Sequence, residues 1–554
     1  MKLGRRTVYA LLLALVCANV LFRLPPTNHE SGIDSFFVHN LATAISTQGR
    51  IPWIINALGY FGWYPLAYPS GAPALISGVA QTSGISEESA ILFLALLQGV
   101  LGALGGFLMG RAFRADAVFA LLVATVFSLA PRFVTFTLWS GSARSLFMVL
   151  TPIFLWGLVR ASRKPNLAST VVLVSVSLLM VATHRLTILL AIVVIGFVVA
   201  FVFVLLYRVT RIRFPRLLLS RSVRQRIPWL ILLAVTIIAV FMLVQSQVLS
   251  QYTSGQVCSG SSAPDEMCNL VVSMTRSVGL ALPLALLGVF EVLRASHKGF
   301  LEAFLVLSLL ALVPTLFLRQ YTGFYVLPFL ALASAFGIVA LVGLVEKRKR
   351  LAKVVLIGSV LVVSGFSYAV VRYEQSLLYE LPNATYTTAL YMKSLPPGNF
   401  VSNEGLVTVR IAAISARQGL PVGGAGTTDQ SPEILVMGAY NATYIFSREH
   451  RIPLTEITIA DDSPFYVTDI NARYDWIVKV LRLDVEAVSA KTLQQYDLRY
   501  FVENRDYLGG YFAFNNIYRG GPDSTFMLSV HAKRYKLFAG PSEDIYLAFP
   551  PLMA

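Results

Sequence analysis

The residues with the clearest chemical potential lie in one segment between two apolar stretches. Asp34 is followed five residues later by His39 and then by the turn-forming sequence Tyr68-Pro69-Ser70-Gly71-Ala72-Pro73. A carboxylate that is partly shielded at a membrane surface can have its pKa raised into the range useful for a general base. Asp is also a favoured helix cap. The sequence therefore leaves two interpretations of Asp34 open, a catalytic base or the N-cap of a helix that starts at Ser35.

A second distinctive group consists of single arginines at the ends of apolar stretches. They are Arg132, Arg144, Arg185 (beside His184), Arg276 and Arg319. Ionisable residues at such positions often serve function in membrane proteins, and a guanidinium group binds phosphate through two parallel hydrogen bonds. Taken singly, each arginine is also explained as a side chain that reaches lipid headgroups. For His184 two roles stay open, contact with a phosphate or a hydrogen bond between helices.

The composition identifies a lipid bilayer as the surroundings of most of the chain. Its 554 residues are 56% hydrophobic and 13% charged, and the mean hydropathy is +0.67. Soluble domains have about 45–50% apolar and about 25% charged residues. The net charge of +16 comes from Lys and Arg that cluster in alternate connections between apolar stretches, as expected on the cytoplasmic side. This pattern predicts a cytoplasmic N-terminus and argues against nucleic acid as a partner.

Apolar stretches of membrane-spanning length recur along the first two-thirds of the chain. A basic start without a convincing cleavage site indicates that the first stretch is retained as a helix. We predict about eleven spans, and the residue ranges are 7–23, 89–110, 116–131, 145–159, 167–183, 186–207, 228–249, 277–293, 300–318, 322–345 and 354–371. The prediction is a multi-pass α-helical membrane domain over residues 1–372 with a long first external loop over residues 24–88. Within that loop, residues 36–45 and 53–68 are predicted to lie along the membrane surface.

Residues 373–554 have a mixed, half-polar composition, and an odd number of spans places them outside the cytoplasm. Helix-like stretches (387–394, 409–417, 475–483) alternate with strand-like ones (399–402, 498–502, 526–531). This alternation predicts an extracytoplasmic α/β domain. The chain has three cysteines. Cys258 and Cys268 either form a disulfide in an oxidising compartment or remain reduced.

The first loop also supports a family resemblance. An acid about ten residues beyond the first membrane helix, a His five residues later and a Tyr-Pro-x-Gly-x-Pro turn before the second helix resemble the C-type glycosyltransferase superfamily. The overall plan resembles that of archaeal and bacterial oligosaccharyltransferase catalytic subunits. The resemblance implies an inverting transferase of the cell membrane that takes a sugar from a polyprenyl-phosphate donor to a glycan, lipid or protein acceptor outside the cell, with Asp34 as the base.

The same resemblance bears on one of the single arginines. Arg319, in the sequence Arg319-Gln320-Tyr321-Thr322-Gly323-Phe324-Tyr325, resembles an arginine that binds phosphate near a late external helix end in such enzymes. The residues expected to bind substrate are His39, Tyr68, Arg144, His184, Arg185, Arg276, Arg319, Tyr321 and Tyr325.

Two departures from the oligosaccharyltransferase pattern bear on metal and acceptor. The second external loop, Trp139-Ser140-Gly141-Ser142-Ala143-Arg144, lacks the acids that complete a divalent-metal site in those enzymes. We therefore expect a reaction without a cofactor; Mg²⁺ or Mn²⁺ stays possible only if Asp265 or Glu266 joins Asp34. The segment Tyr391 to Val401 resembles the start of their external domain, but Ser402-Asn403-Glu404-Gly405 replaces their tryptophan-rich acceptor motif.

Two alternative functions stay open. One is a divergent oligosaccharyltransferase catalytic subunit that transfers a lipid-linked glycan to protein Asn. The other is a non-catalytic membrane transporter or assembly protein. Transporters usually contain inverted repeats and broken helices with polar residues at mid-membrane, whereas the apolar stretches here are continuous and uncharged between their ends.

Overall fold

The computed structural model describes residues 4–25, 27–51, 69–163, 166–184, 187, 190–210, 274–275, 277–295, 299–312, 323–345, 348–377, 380–402, 405–417, 419–421, 498–505 and 536–547. The chain divides into two compact units. The helical unit comprises Met1–Leu24, Ala95–Leu138 and Arg144–Leu378. The mixed unit comprises Pro25–Leu94, Trp139–Ala143 and Tyr379–Ala554, so the long first loop groups with the C-terminal segment. The division at residue 372 that the sequence suggests stays a prediction.

Helices dominate the described part of the chain. In chain order they are α1 (Arg5–Arg23), α2 (Ile33–Gln48), α3 (Gly71–Ser83), α4 (Glu87–Phe113), α5 (Ala117–Ser128), α6 (Pro131–Phe136), α7 (Ala143–Arg163), α8 (Leu167–Thr183), α9 (Leu190–Thr210), α10 (Ala281–Arg294), α11 (Phe300–Leu312), α12 (Gly323–Leu344), α13 (Lys349–Leu377), α14 (Asn383–Ser394) and α15 (Gly405–Ser415). The strands are β1 (Asn399–Ser402), β2 (Gly419–Pro421), β3 (Leu498–Asn504), β4 (Lys536–Ala539) and β5 (Glu543–Leu547).

Several helices have the length and apolar character of membrane spans. Among the described residues five meet both conditions: α1, α4, α7, α12 and the part of α13 over Lys349–Arg372. The shorter apolar helices α5, α8, α9 and α11 form where further spans are predicted. The chain is thus a multi-pass membrane protein. The total of about eleven spans and the sidedness of the termini stay predictions, and the predicted span over 228–249 lies outside the described residues.

Helices α10 and α12 of the helical unit pack so closely at two glycines that no side chain fits there. A Cβ atom on Gly288 of α10 would lie 1.8 Å from the carbonyl oxygen of Ala333, and one on Gly337 of α12 would lie 1.9 Å from that of Leu284. In a bilayer, burial of apolar side chains gives little net drive for helices to associate, so close backbone packing at small residues matters more. These two glycines therefore hold α10 and α12 together.

The mixed unit contains a five-stranded sheet of order β2-β1-β3-β5-β4. Strand β1 is parallel to β2 and β3, and β5 is antiparallel to β3 and β4. Strands β1 and β3 and helices α14 and α15 form where the sequence predicts them. The predicted elements over 475–483 and 526–531 lie outside the described residues, so the α/β class of the whole segment 373–554 stays a prediction.

Helix α2 belongs to the core of the mixed unit. Phe36 lies in one apolar cluster with Met392 and Phe400, while Val38 lies in a second cluster with Ile91. Phe36 and Val38 are both fully buried. A helix does form over residues 36–45, but the prediction that it lies along the membrane surface was wrong, because its apolar side chains are covered by protein. The companion prediction for residues 53–68 lies outside the described residues.

Candidate active site

Asp34 lies in the first turn of α2, and its side chain is exposed. The helix begins at Ile33, and its N-cap is Gly32, which offers no side-chain hydrogen bond. The interpretation of Asp34 as the cap of a helix starting at Ser35 was therefore wrong. A negative charge in the first turn is favoured by the helix dipole. The carboxylate therefore lies at the N-terminal end of the helix and is accessible to solvent.

Gly32 makes the turn into α2 possible. Its φ of 98° is a backbone conformation that L side chains rarely adopt, and a Cβ atom there would lie 3.0 Å from Oγ of Ser140. Any other residue would meet both obstacles, strain and a close contact. Gly32 therefore provides the backbone conformation that leads from Glu30 into the first turn of α2.

Glu30 is a fully buried carboxylate that contacts α2 from the preceding turn. Its Oε2 atom accepts a hydrogen bond of 2.6 Å from the Ser35 hydroxyl, and its Oε1 atom lies 2.5 Å from Nδ1 of His39. Ser35 is 0% exposed and His39 3% exposed. The backbone N–H of Gly141 donates to Oγ of Ser35 at 2.5 Å. We call Glu30, Ser35, His39 and Gly141 the Glu30 network.

The charge state of His39 follows from this pairing. Burial lowers the pKa of the imidazole, but the charge and hydrogen bond of Glu30, with smaller contributions from Glu87 and Glu88, outweigh burial, so the pKa of His39 is raised above its ordinary value. The protonated imidazole is thus favoured beside the carboxylate. Glu30 and His39 form a buried ion pair with a separation short enough for a charge-assisted hydrogen bond.

A second group of polar residues holds the backbone around Glu30. The N–H of Glu30 donates to Oε1 of Glu88 at 3.0 Å, and the same oxygen lies 3.0 Å from Nδ1 of His29. The His29 ring stacks on Tyr386, with 4.0 Å between the ring centroids. Burial, followed by the charge of Glu88, raises the pKa of Tyr386. Residues from the first loop, from the start of α4 and from α14 therefore meet at this point.

The described residues do not fit a divalent-cation site. They contain no group of three or more His, Cys, Asp or Glu side chains arranged to hold a metal. The buried carboxylates of the mixed unit near this segment have other partners, since Glu30 binds Ser35 and His39 while Glu88 lies beside His29. The segment Trp139–Ala143 brings no acid to the mixed unit. Hard cations prefer about six oxygen ligands, several of them carboxylate.

In the helical unit, several predicted substrate-binding residues are connected through aromatic rings. The guanidinium of Arg144 lies 5.4 Å from the Phe136 ring centroid, and the guanidinium of Arg132 lies 5.1 Å from that of Phe324. Phe136 and Phe324 meet edge to face at 5.2 Å. These distances fit cation–π contacts. Two arginines from different helical segments thus flank one pair of rings.

The same ring system continues to a histidine and a tyrosine. Phe147 lies 5.7 Å from the His184 ring and 5.1 Å from the Tyr325 ring, which is fully buried and adjacent in sequence to Phe324. We call these residues the cation–aromatic cluster: Arg132, Phe136, Arg144, Phe147, His184, Phe324 and Tyr325. Arg144, His184 and Tyr325, three residues that the sequence singles out for separate reasons, thus each contact an aromatic ring of this cluster.

One further charged residue of the helical unit was not singled out from the sequence. Arg23, at the end of α1, is fully buried, and the ring of Phe133 lies 5.2 Å from its guanidinium carbon. Its Nε donates to Oγ1 of Thr137 at 2.9 Å, and its Nη1 donates to the carbonyl and side-chain oxygens of Asn19, both at 2.9 Å. Neutral oxygens thus solvate this charge.

The remaining predicted site residues have different outcomes. His39 is buried against Glu30, and its prediction as a substrate contact stays untested. Tyr68, Arg185, Arg276, Arg319 and Tyr321 lie outside the described residues. The sequence analysis did not single out Glu30. One signal was present in the polar residues Ser35 and His39, which are four residues apart and therefore share one helix face. The contacts of Ser35 with Gly141 and of Glu30 with Glu88 could not be predicted in this way, because these residues are distant in sequence.

The fold matches known structures although the sequence does not. No family model matches this sequence, and no curated protein matches it. The apo crystal structure of an oligosaccharyltransferase from Archaeoglobus fulgidus is similar with a TM-score of 0.55 at 12% identity, over 95% of this chain and 73% of that chain. AglB of that organism, an archaeal oligosaccharyltransferase in complex with an inhibitory peptide and a dolichol-phosphate, is similar with a TM-score of 0.53 at 12% identity, over 94% and 72%.

A second kind of enzyme has the same fold. ArnT from Cupriavidus metallidurans, bound to undecaprenyl phosphate, is similar with a TM-score of 0.52 at 12% identity, over 100% of both chains. These proteins are C-type glycosyltransferases. The chain therefore has the C-type glycosyltransferase fold, which confirms at the level of fold the resemblance carried by the first loop.

Proposed function

We propose that this protein transfers a sugar from a polyprenyl-phosphate donor to an acceptor at the external face of the membrane, with Asp34 as the general base. The observation that carries the proposal is the fold, shared over 94–100% of this chain with AglB and ArnT. One of those structures holds dolichol-phosphate and the other undecaprenyl phosphate. The donor class is therefore a lipid phosphate, and the acceptor is a glycan, a lipid or a protein.

The proposed reaction transfers one proton to Asp34 and releases one leaving group, the lipid phosphate. The acceptor oxygen attacks the anomeric carbon while its proton passes to the Asp34 carboxylate, and the bond between that carbon and the phosphate oxygen breaks. The lipid phosphate leaves with the bonding electrons, and the configuration at the anomeric carbon inverts. Exposure of Asp34 supports this role, because an acceptor hydroxyl must reach within hydrogen-bond distance of the base.

Negative charge on the leaving phosphate requires fixed positive charge. The cation–aromatic cluster supports this function, because Arg132 and Arg144 flank one ring pair and His184 joins the same system through Phe147. We propose that Arg144, His184 and Tyr325 of this cluster bind the donor, as expected from the sequence, and that Arg132 joins them. Arg185, Arg276 and Arg319 extend the set on the sequence argument, as do Tyr68 and Tyr321.

Replacement of Asp34 by Asn tests the proposal. We expect donor turnover to fall about 10²–10⁴-fold, the usual contribution of a general base. The assay mixes purified protein with polyprenyl-linked sugars and membranes from cells that lack it, and donor loss is followed by mass spectrometry. Asp116→Asn is the matched control, since the Asp116 side chain accepts from the N–H of Val118, which Asn also does. Full turnover by Asp34→Asn would refute the assignment.

The oligosaccharyltransferase alternative is favoured by one specific similarity. The A. fulgidus enzyme tethered to a peptide with an Asn-Val-Thr sequon has a TM-score of 0.55 with this chain. An oligosaccharyltransferase that acts on Asn would glycosylate a sequon peptide and would require Mn²⁺ or Mg²⁺. We propose instead a metal-independent reaction on the sequence argument, because the segment Trp139–Arg144 lacks the acids that would complete such a site; Asp265 and Glu266, the other candidate ligands, lie outside the described residues. Turnover that persists in excess chelator, without glycosylation of the peptide, distinguishes the two.

A further inference from the structure

We infer that Glu30, paired with His39, is a positioning residue that fixes the rotation of α2 about its axis and thereby the direction of the Asp34 carboxylate. The inference rests on the proposed role of Asp34 as the base. It concerns a different residue and a different contribution, because Glu30 is fully buried and acts through the helix and not on substrate.

The geometry of the contact restricts helix rotation. Ser35 and His39 are separated by one helical turn, so both project from the same face of α2. The two oxygens of one Glu30 carboxylate bind them separately, at 2.6 Å to Ser35 and 2.5 Å to His39. Rotation of α2 would break both contacts together. Asp34 is adjacent to Ser35, so its direction follows directly from the orientation of this face.

Glu30 can act in this way because its own backbone is held. Its N–H donates to Glu88 at 3.0 Å, and its carbonyl oxygen accepts from the N–H of Leu381 at 3.2 Å. The next residue, Ser31, donates its N–H to the carbonyl oxygen of Trp139 at 3.0 Å. Segments from three parts of the chain therefore fix the position from which the carboxylate reaches α2.

Stability alone gives a weak reason for a buried ion pair. Desolvation of two charges offsets most of their attraction, and apolar replacements of similar volume are often as stable. A charged pair in a defined geometry does give one orientation of the helix instead of several packed alternatives, and functional groups need such support to stay within a fraction of an ångström. The Glu30 network therefore serves orientation, and His39 acts with Glu30 in place of the substrate contact predicted from the sequence.

Three substitutions test the inference in the full-length protein. Glu30→Gln removes the charge but keeps the shape, Glu30→Asp keeps the charge but shortens the reach, and His39→Gln removes the cation. We expect each to lower kcat about 10²-fold, the usual cost of misplacing a reacting group by about 1 Å, with the KM for donor unchanged. The probe is the pool of polyprenyl-linked sugars from cells that lack the protein.

A matched control and the Glu30→Asp variant distinguish a loss of orientation from a loss of charge or of folded protein. Glu503→Gln is the control, because this glutamate lies in the same unit but outside the Glu30 network. A Glu30→Asp variant with wild-type kcat would overturn the inference in favour of a purely electrostatic role. Wild-type kcat in Glu30→Gln, or a loss fully accounted for by less folded protein, would also overturn it.

If Asp34→Asn is inactive while Glu30→Gln is normal, only this inference fails; if Asp34→Asn is active, the proposed function fails first.

Discussion

Two buried charges in the two units are stabilised in different ways. In the helical unit, the guanidinium of Arg23 is surrounded by neutral oxygens of Asn19 and Thr137 and by the Phe133 ring. In the mixed unit, the carboxylate of Glu30 is paired with His39, which can itself gain or lose a proton. Both residues are fully buried. The hydrogen-bond acceptors around Arg23 do not change with pH, whereas the partner of Glu30 does.

The two buried charges also differ in the elements that they connect. Arg23 hydrogen-bonds to Thr137 and to the carbonyl oxygen of Ser128, so it connects α1 with the ends of α5 and α6. Glu30 holds the first turns of α2, which carry the exposed Asp34. Neutral partners make a fixed contact, and an ionisable partner makes a contact whose strength depends on the protonation of one imidazole. Variants that remove either charge therefore test the comparison directly.

Glu30→Ala is expected to have the largest effect on stability. It leaves the His39 imidazolium buried without its counter-charge, and loss of one partner of a buried pair costs about 3–5 kcal/mol. Unfolding of the purified protein in detergent, followed over a range of pH, measures the change. Equal stability of Glu30→Ala and wild type in mildly acidic solution would contradict the ion pair.

The pH dependence of that cost has a definite sign. Burial lowers the pKa of His39, but Glu30, with help from Glu87 and Glu88, raises it overall, so the folded value exceeds the unfolded one. The contribution of the pair is then fully present below the ordinary His pKa of about 6.5. It is lost as the pH rises through the raised folded value. The Glu30→Ala penalty must therefore shrink in alkaline solution, and an increase would contradict this account.

The sequence predicted the parts of this comparison that depend on local pattern. Apolar length predicted the positions of α1, α4 and α7, and alternating polarity predicted β1. The acid Asp34 was found because it lies in a motif. Arg23 was passed over because it ends an apolar stretch like any lipid-facing arginine, and only its contact with Thr137, far along the chain, distinguishes it.

Arg23→Met is expected to have an intermediate effect that does not change with pH. The substitution keeps much of the side-chain length but removes the donor to Oδ1 of Asn19, and a buried group left unpaired costs about 1–3 kcal/mol. The Thr137 hydroxyl still donates to the carbonyl oxygen of Phe133. The groups that accept its hydrogen bonds are backbone carbonyls, an amide and a hydroxyl, none of which titrates in the working range. The same detergent unfolding series measures it. A penalty that fell in alkaline solution as for Glu30→Ala would remove the distinction between the two buried charges.

Tertiary contacts limited what could be foreseen about the site. Arg144, His184 and Tyr325 each had a local reason for attention, but their connection through Phe147, Phe136 and Phe324 depends on helices distant in sequence. Burial of residues 36–45 could not be foreseen either, because an amphipathic helix packs equally well on lipid or on protein until its partner is known. The partner here is the C-terminal segment, through Met392 and Phe400.

Asp34→Asn is expected to have the smallest effect on stability and a large effect on turnover. The side chain is exposed in the first turn of α2, and interactions of exposed charges, with a helix dipole or with a partner, contribute about 1 kcal/mol or less to the free energy of unfolding. The same unfolding experiments, run beside the turnover assay, measure both quantities on one preparation. A loss of stability as large as that of Glu30→Ala would make Asp34 a structural acid like Glu30. A nearly unchanged free energy of unfolding with turnover abolished separates the acid that reacts from the acid that positions it.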